Sequence, residues 1–135
     1  MFAIVDTGPL YAAADADDDD HDRCRDVLEQ SEYRLVIPAL VVAETTYLIG
    51  TRLGAKAEVR FLRALGDLDV EAPGHDDWAR IAEIVDRYRN FPLGGTDASI
   101  IVLAERLDTD LVITLDRRHF GAVRPRHRSA LRLLP

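Results

Sequence analysis

The amino-acid sequence predicts an α/β protein built on a mostly parallel β-sheet with helices on its faces. Two short apolar runs, residues 2–5 (FAIV) and 111–115 (LVITL), are each followed directly by an aspartate. Continuous apolar runs of this length are typical of strands that are buried on both faces. Amphipathic segments of helical length separate the strand candidates, and strands that alternate with helices require crossover connections, which produce a parallel sheet.

The remaining elements follow from hydrophobic periodicity and from the glycines that interrupt it. Two weaker strand candidates cover residues 33–37 and 68–72. Helical periodicity occurs in five segments, namely residues 21–30, 39–49, 55–65, 76–88 and 96–107. Gly54, Gly66 and Gly74 fall between these segments, as helix C-caps or turns would.

Composition indicates one globular domain that spans residues 1–135. A chain of 135 residues with 47% hydrophobic and 30% charged content can bury one substantial core. Cys24 is the only cysteine, which excludes an intramolecular disulfide and a thiolate metal cage and points to a reducing compartment. The N-terminus lacks the pattern of a signal peptide, and no apolar run approaches the roughly 20 residues that a membrane span needs. We therefore expect a cytoplasmic protein without membrane contact.

The charge of the chain is unevenly distributed. Residues 117–135 contain six arginines and no acidic residue, so the net charge of −7 leaves −13 for residues 1–116. A uniformly acidic protein would be a poor partner for a polyanion, because nucleic-acid affinity comes from lysine and arginine. An acidic body with a basic tail fits a metal-dependent phosphodiesterase better than a simple binding module, although charge alone also fits a solvated tail beside an acidic surface.

Two aspartates mark the carboxyl ends of predicted strands. In open parallel sheets, ligands bind beyond these ends, near the point where the strand order reverses. Asp6 and Asp116 follow the two apolar runs, so we expect both carboxylates to leave the same edge of the sheet. For either residue alone, an Asx-turn or a helix N-cap is the simpler interpretation.

Two further acids lie on predicted helices. Glu44 falls in a stripe with Leu40, Tyr47 and Leu48, and an acid on an apolar face must be paired, protonated or metal-bound. A salt bridge to a nearby arginine is the alternative. Asp97 opens the helix TDASIIVLAERL, where the helix dipole alone also favours an aspartate. Together the four acids are chemically odd unless a cation neutralises them, and oxygen donors suit Mg²⁺ or Mn²⁺.

At these residues the chain resembles the PIN-domain ribonucleases, and within them the VapC-type toxins of toxin-antitoxin pairs. The resemblance covers essentially the whole chain in the order DTGPL, DDDDH, VVAETTYLI, GGTDASIIVLAERL and LVITLDRRHF. It implies a parallel sheet of about five strands between helices and a pocket that binds Mg²⁺ or Mn²⁺ and cuts RNA. It places Asp6, Glu44, Asp97 and Asp116 at the four acidic positions of the family.

The resemblance also implies roles and partners. Asp6, Asp97 and Asp116 would hold the metal, and Glu44 would orient or deprotonate the attacking water. Thr7 and Thr114 match positions where a hydroxyl supports the acidic pocket, although either could satisfy local backbone instead. The family resemblance further implies a homodimer that a small antitoxin protein inhibits.

Other functions have weaker support in the sequence. A histidine-pair ribonuclease is conceivable, but none of the four histidines occupies a position that the pattern singles out. A phosphoacceptor receiver domain needs a lysine near the end of the sheet, and Lys56, the only lysine, lies mid-chain. The glycine motifs of nucleotide-binding folds are absent. A non-catalytic RNA-binding or scaffold module of the same fold remains the alternative.

Two apolar features lead to further expectations. Trp78 is expected in a helix core with Ile81, Ile84 and Val85 rather than as a platform for RNA bases. The helices at 39–49 and 55–65 carry more apolar surface than one sheet face requires, at Val42, Leu53, Val59 and Leu62. These side chains either form a groove for an antitoxin helix or complete the core.

Overall fold

The structure is a computed structural model that describes all 135 residues, and it contains one five-stranded parallel sheet between helices. The strands are β1 (Phe2–Val5), β2 (Arg34–Pro38), β3 (Asp69–Glu71), β4 (Leu111–Ile113) and β5 (Arg132–Leu134). The helices are α1 (Thr7–Ala14), α2 (His21–Leu28), α3 (Ala39–Leu53), α4 (Ala55–Ala64), α5 (Asp77–Arg87), α6 (Gly95–Arg106) and α7 (Arg117–Ala122). A short 3₁₀ turn, Leu65–Asp67, follows α4. The predicted fold class is confirmed.

The strand order β3-β2-β1-β4-β5 places β1 at the centre of the sheet. Ile4 is in register with Val36 of β2 on one side and with Val112 of β4 on the other. The chain therefore builds one half of the sheet outward from β1 and then returns to build the other half. The reversal lies between β1 and β4, where the predicted site residues Asp6 and Asp116 follow their strands.

The core forms where the central strands and α6 meet. Ala3, Ile4 and Val5 of β1 are fully buried, and the seven consecutive residues 98–104 of α6 are all buried. A helix that is apolar all round is expected inside a protein rather than on its surface. Each fully buried aliphatic side chain contributes about 1.5–3 kcal/mol. Fully buried residues therefore adjoin Asp6 at the end of β1 and Asp97 in the first turn of α6.

Three elements were not predicted from periodicity. The first helix begins at Thr7, although its sequence TGPLYAAA contains a glycine and a proline. Both fall in the first turn, where the missing N–H of proline costs nothing because no intrahelical acceptor exists there. The helix α7 has six residues and β5 has three, and segments so short carry no measurable period.

One expectation about packing is wrong. Ile81 and Ile84 of α5 are buried as predicted, but the Trp78 side chain is 51% exposed. Trp78 is the second residue of α5, and no residue of that helix before Ile81 is buried. The helix face that packs inward starts one turn later than the sequence pattern indicated.

The arginine-rich tail does not form one continuous basic surface. Arg128 pairs with Asp108, Arg132 with Asp110, and Arg126 with Glu83, at 2.9, 2.8 and 3.2 Å. Asp108 and Asp110 precede β4, so these pairs lie at the edge of the sheet opposite to Asp116. Half of the tail arginines are thus engaged in holding the C-terminal segment to the body. No helix of the structure is long and apolar enough to cross a membrane.

Candidate active site

An open pocket of about 490 Å³ lies at the carboxyl ends of β1 and β4. All four predicted acids line it: Asp6 from the end of β1, Glu44 from α3, Asp97 from α6 and Asp116 from the end of β4. Its other lining residues are Thr7, Gly8, Leu48 and Leu115. Four elements that are distant in sequence therefore bring one carboxylate each to a common cavity.

Asp6 is the most buried of the four acids, at 8% exposure. One carboxylate oxygen caps α1 by accepting the Thr7 backbone N–H at 2.7 Å, and the other accepts the Thr114 hydroxyl at 2.8 Å. Burial raises its pKa from 3.8 to about 6 even though both hydrogen bonds oppose the rise. The negative charges of Asp97 and Glu44 make a smaller contribution to this rise. A carboxyl group in this position binds protons, or another cation, more readily than a surface aspartate does.

Thr114 connects the two strand-end aspartates. Its hydroxyl donates to Asp6 and accepts the Asp116 backbone N–H at 2.9 Å, and the residue is 1% exposed. This agrees with the supporting role that the family resemblance implied for Thr114. Thr7 is also buried and lines the pocket, and its hydroxyl has no hydrogen-bond partner in the protein.

Asp97 is partly buried in the first turn of α6. Burial is the main cause of its raised pKa, and the charges of Asp116 and Glu44 add to it. The Gly94 backbone N–H and His119 act in the opposite direction. For both Asp6 and Asp97, burial is the main cause of the raised pKa, and the negative charges of the neighbouring carboxylates add to it.

The face of α3 that carries Glu44 is not the face that packs into the core. The helix buries Val41, Thr45 and Ile49, whereas Glu44 is exposed and Tyr47 is 69% exposed. The expectation that Glu44 lies in a buried apolar stripe is therefore wrong. Glu44 lines the pocket together with Leu48, one turn further along α3, and is also exposed to solvent.

Sequence reasoning missed one side chain that contacts a pocket carboxylate. Asp116 caps α7 by accepting the His119 backbone N–H at 3.0 Å, and the His119 ring Nδ1 lies 2.8 Å from Asp116 Oδ2. The Phe91 and His119 rings pack edge to face, with centroids 4.7 Å apart. The signal for His119 was its spacing, three residues after an N-cap aspartate, which places both on one side of a first helical turn.

Comparison with known proteins decides the family. The PIN domain family model matches residues 3–124. This chain belongs to the PIN-domain family. Ribonuclease VapC26 of Mycobacterium tuberculosis is 40% identical over 124 residues, which cover 90% of this chain and 92% of that protein. The resemblance predicted from the sequence motifs is thus confirmed.

Solved structures share the PIN-domain fold. The Mycobacterium tuberculosis toxin VapC20 aligns with a TM-score of 0.78 and 21% identity over 90% of this chain and 96% of that chain. VapBC2 of Rickettsia felis aligns with a TM-score of 0.73 and 15% identity over the full length of both chains. A toxin-antitoxin complex from Klebsiella pneumoniae has a TM-score of 0.68 and 19% identity over 90% of this chain and 92% of that chain. At these identities the likeness concerns the fold.

The histidine-pair alternative finds no support in this PIN domain. His21 Nδ1 lies 2.8 Å from the Ala12 carbonyl oxygen, and His127 Nε2 lies 2.7 Å from that of Thr109. Neither ring lines the acidic pocket. His119 is the one histidine beside the pocket, and it has no second histidine to exchange a proton with.

The pocket of this PIN domain suits a divalent cation. No lysine or arginine pairs with any of the four carboxylates. The one basic side chain that contacts them is His119, which lies against Asp116. The donors are all oxygen atoms, as Mg²⁺ and Mn²⁺ prefer, and the unpartnered Thr7 hydroxyl can bond a metal-bound water. As placed, no three His, Cys, Asp or Glu side chains converge into a preformed metal site. The acids instead line a cavity with room for an ion and its water shell.

Proposed function

We propose that this PIN domain, residues 1–135 acting as one unit, is a metal-dependent endoribonuclease and the toxin of a toxin-antitoxin pair. The observation that carries the proposal is the meeting of Asp6, Glu44, Asp97 and Asp116 in one pocket, where His119 contacts Asp116 and no lysine or arginine pairs with any of the four. The relative with 40% identity is named a ribonuclease. Four carboxylates that share one pocket repel one another, and the burial of Asp6 adds a desolvation cost, so the cluster lowers folding stability and favours a functional role over a structural one.

The acids divide into two roles by their burial. Asp6, Asp97 and Asp116 follow or begin elements fixed by the core, so they are suited to hold Mg²⁺ or Mn²⁺. The bound ion would polarise the scissile phosphate and lower the pKa of a coordinated water. Glu44 is exposed on α3 and has no hydrogen-bond or ion-pair partner within the protein, so it is free to orient or deprotonate the attacking water. Attack by water in line with the P–O3′ bond would break that bond and release the 3′-oxygen, which takes up a proton, so the products would be a 5′-phosphate and a 3′-hydroxyl.

The supporting residues fix the geometry of the acids. Thr114 donates to the Asp6 carboxylate and accepts the backbone N–H of Asp116, so the Asp6 carboxylate is tied to the backbone from which the Asp116 side chain extends. His119 holds Asp116 from the other side. Rotation of either carboxylate away from the substrate would break one of these bonds, which preserves the productive arrangement between turnovers.

An apolar groove offers a place for an antitoxin helix. A groove of about 320 Å³ runs between α1 and α4, lined by Leu10, Ala13, Ala14, Ala57, Arg60, Phe61, Ala64, Leu65 and Leu68. Val59 and Leu62 of α4 are each 45% exposed. None of the residues expected to form a groove, Val42, Leu53, Val59 and Leu62, lines this one. Amphipathic helices bind such grooves through their apolar face. Structures similar in fold include VapBC-1 from Haemophilus influenzae and FitAcB from Neisseria gonorrhoeae, beside the toxin-antitoxin complex from Klebsiella pneumoniae.

The inhibitory step follows from the charge of the pocket. An arginine carried by the antitoxin would form bidentate pairs with the carboxylates and take the place of the metal. We propose that the toxin is a homodimer in the cytoplasm, where such a partner would be made with it. Expression of the chain alone should then arrest growth, and co-expression of the antitoxin should restore it.

Cleavage of RNA by the purified protein tests the proposed activity. Structured and single-stranded RNA would be incubated with Mg²⁺, with Mn²⁺ or with excess chelator, and the new ends sequenced. Cuts that carry a 5′-phosphate, require metal and disappear in Asp97→Asn support the proposal. Full activity in chelator, or equal activity in Asp97→Asn, would contradict it.

A further inference from the structure

A cluster of three side chains lies beside the acidic pocket, next to Asp116. Arg118 and His119 belong to the first turn of α7, and Phe91 belongs to the loop between α5 and α6. The Phe91 and His119 rings meet edge to face at an interplanar angle of 75°. The Arg118 guanidinium carbon lies over the Phe91 ring, 5.8 Å from its centroid. One phenyl ring thus supports both the arginine and the histidine that holds a pocket carboxylate.

Phe91 differs from the other three phenylalanines of the chain. Phe120 is fully buried, and Phe2 and Phe61 pack against the main core or its neighbour. Phe91 is partly buried and does not pack against either buried cluster. Its ring contacts are His119 and Arg118. Core packing therefore does not account for this aromatic residue, whereas its contacts beside the pocket do.

Arg118 is held near carboxylates without pairing with them. It is exposed and forms no ion pair, while Arg126, Arg128 and Arg132 of the same tail are each bound to an acid. A flexible arginine two residues from Asp116 would be attracted to the pocket carboxylates and would pair with one of them. The contact with Phe91 keeps the guanidinium over the ring, so its hydrogen-bond donors stay available to a ligand.

We propose that Phe91, Arg118 and His119 form a positioning site for the RNA substrate, in which Arg118 binds the phosphate that flanks the scissile one. The proposal rests on the ribonuclease function proposed above. A pocket of four carboxylates repels a polyanion, so binding needs a cation fixed at its rim that does not neutralise the acids. Guanidinium presents a planar fork of donors that matches a phosphate. Phe91 acts through Arg118 and His119 and is a positioning residue.

Salt dependence of RNA binding measures the phosphate contact directly. Fluorescence anisotropy with a labelled single-stranded RNA, in an Asp97→Asn background that prevents cleavage, would give Kd over a range of salt concentrations. Arg118→Ala should weaken binding about five-fold and reduce the slope of log Kd against log salt by roughly 0.7, the value for one lost phosphate contact on a single strand. Arg124→Ala is the matched control, because Arg124 is an exposed tail arginine with no side-chain partner in the protein.

Substitution of Phe91 distinguishes a role for the ring in positioning Arg118 and His119 from an effect of the Arg118 charge alone. With otherwise unmodified protein, Phe91→Ala should raise KM through the freed Arg118 and lower kcat through the loosened His119. Phe91→Tyr keeps the ring and should restore both constants. Because Phe91 lies outside the core, the melting temperature should change little in either variant.

The outcomes distinguish this proposal from the one it rests on. If the unmodified protein cuts no RNA with either metal, the ribonuclease function fails. If it cuts RNA but Arg118→Ala keeps the slope and KM of the parent, or matches Arg124→Ala in both, the positioning site is refuted. If Arg118→Ala leaves RNA binding unchanged but weakens the complex with the antitoxin, the proposal is also refuted, and Arg118 contributes to antitoxin binding instead.

Discussion

The Thr114 hydroxyl donates a hydrogen bond of 2.8 Å to Asp6, a residue 108 positions earlier in the chain. The same oxygen accepts the Asp116 backbone N–H. A single buried hydroxyl therefore ties together the carboxyl ends of β1 and β4, the two strands between which the sheet order reverses. This tie adds to the hydrogen bond from the Asp6 backbone N–H to the Ile113 carbonyl oxygen, and it fixes the Asp6 carboxylate to the strand that leads to Asp116.

Removal of that hydroxyl should weaken both the fold and the metal site. Thr114→Val keeps the shape of the side chain but leaves the Asp116 N–H without its acceptor, at a cost of about 1–3 kcal/mol. The Asp6 carboxylate also loses a donor, so its pKa should rise further and its affinity for Mn²⁺ should fall. Urea unfolding and Mn²⁺ titration would measure the two effects. Thr114→Ser keeps the hydroxyl and should keep the affinity for Mn²⁺. An equal loss of affinity in Thr114→Ser and Thr114→Val would argue against a role for the hydroxyl.

The raised pKa of Asp6 predicts how stability depends on pH without metal. The folded carboxyl has a pKa of about 6 and the unfolded one about 3.8. Between these values the folded state holds the proton more tightly, so folding stability should fall as pH rises from about 4 to about 6. The loss attributable to Asp6 is about 3 kcal/mol at neutral pH. Asp6→Asn cannot ionise, so in chelator it should be more stable than the parent at pH 7.

Urea unfolding at a series of pH values would test this prediction. The difference in stability between Asp6→Asn and the parent should be small near pH 4 and grow through pH 6. A substitution at Asp17, an exposed acid of the loop after α1, is a suitable control because it removes the same charge away from the pocket. A constant difference across the whole pH range would contradict the raised pKa.

Divalent metal should stabilise the folded protein. A ligand that binds the native state alone raises stability by about 2.7 kcal/mol at one hundred times its Kd. Melting temperature should therefore rise with added Mn²⁺ in the parent and much less in Asp97→Asn. Both Asp97→Asn and Asp6→Asn should abolish RNA cleavage with little loss of folding, since each also relieves repulsion among the carboxylates. An equal melting response in parent and variants would remove the metal from the mechanism.

Much of the fold and the positions of Asp6 and Asp116 could be predicted because continuous apolar runs mark central parallel strands, and parallel strands bring their ends to one edge. Asp97 and Glu44 were assigned mainly through the family motifs. Helix periodicity predicted the wrong buried face of α3, because Tyr47 was counted as buried although its side chain is exposed. A sequence shows which side chains are apolar enough to be buried. Whether each one is buried depends on which elements pack against its helix.

The side chains around the acids were harder to predict. Contact between Phe91 and His119 joins two segments 28 positions apart through a loop whose course no local pattern defines. Short elements such as α7 and β5 are stabilised by tertiary contacts rather than by their own propensity. The pairing of tail arginines with Asp108 and Asp110 likewise depends on β5 adding to the edge of the sheet.

The groove between α1 and α4 gives a final prediction about inhibition. Ala64 is an exposed groove residue of α4, so Ala64→Arg should fill the groove without disturbing the core. The variant should keep its RNA cleavage but lose inhibition, because the antitoxin helix can no longer lie in the groove. Ala55→Arg adds the same side chain at an exposed position of α4 outside the groove and should still be inhibited. Growth of cells that co-express each variant with the antitoxin, together with co-purification of the pair, would measure the difference. Equal rescue of both variants would place the antitoxin on another surface.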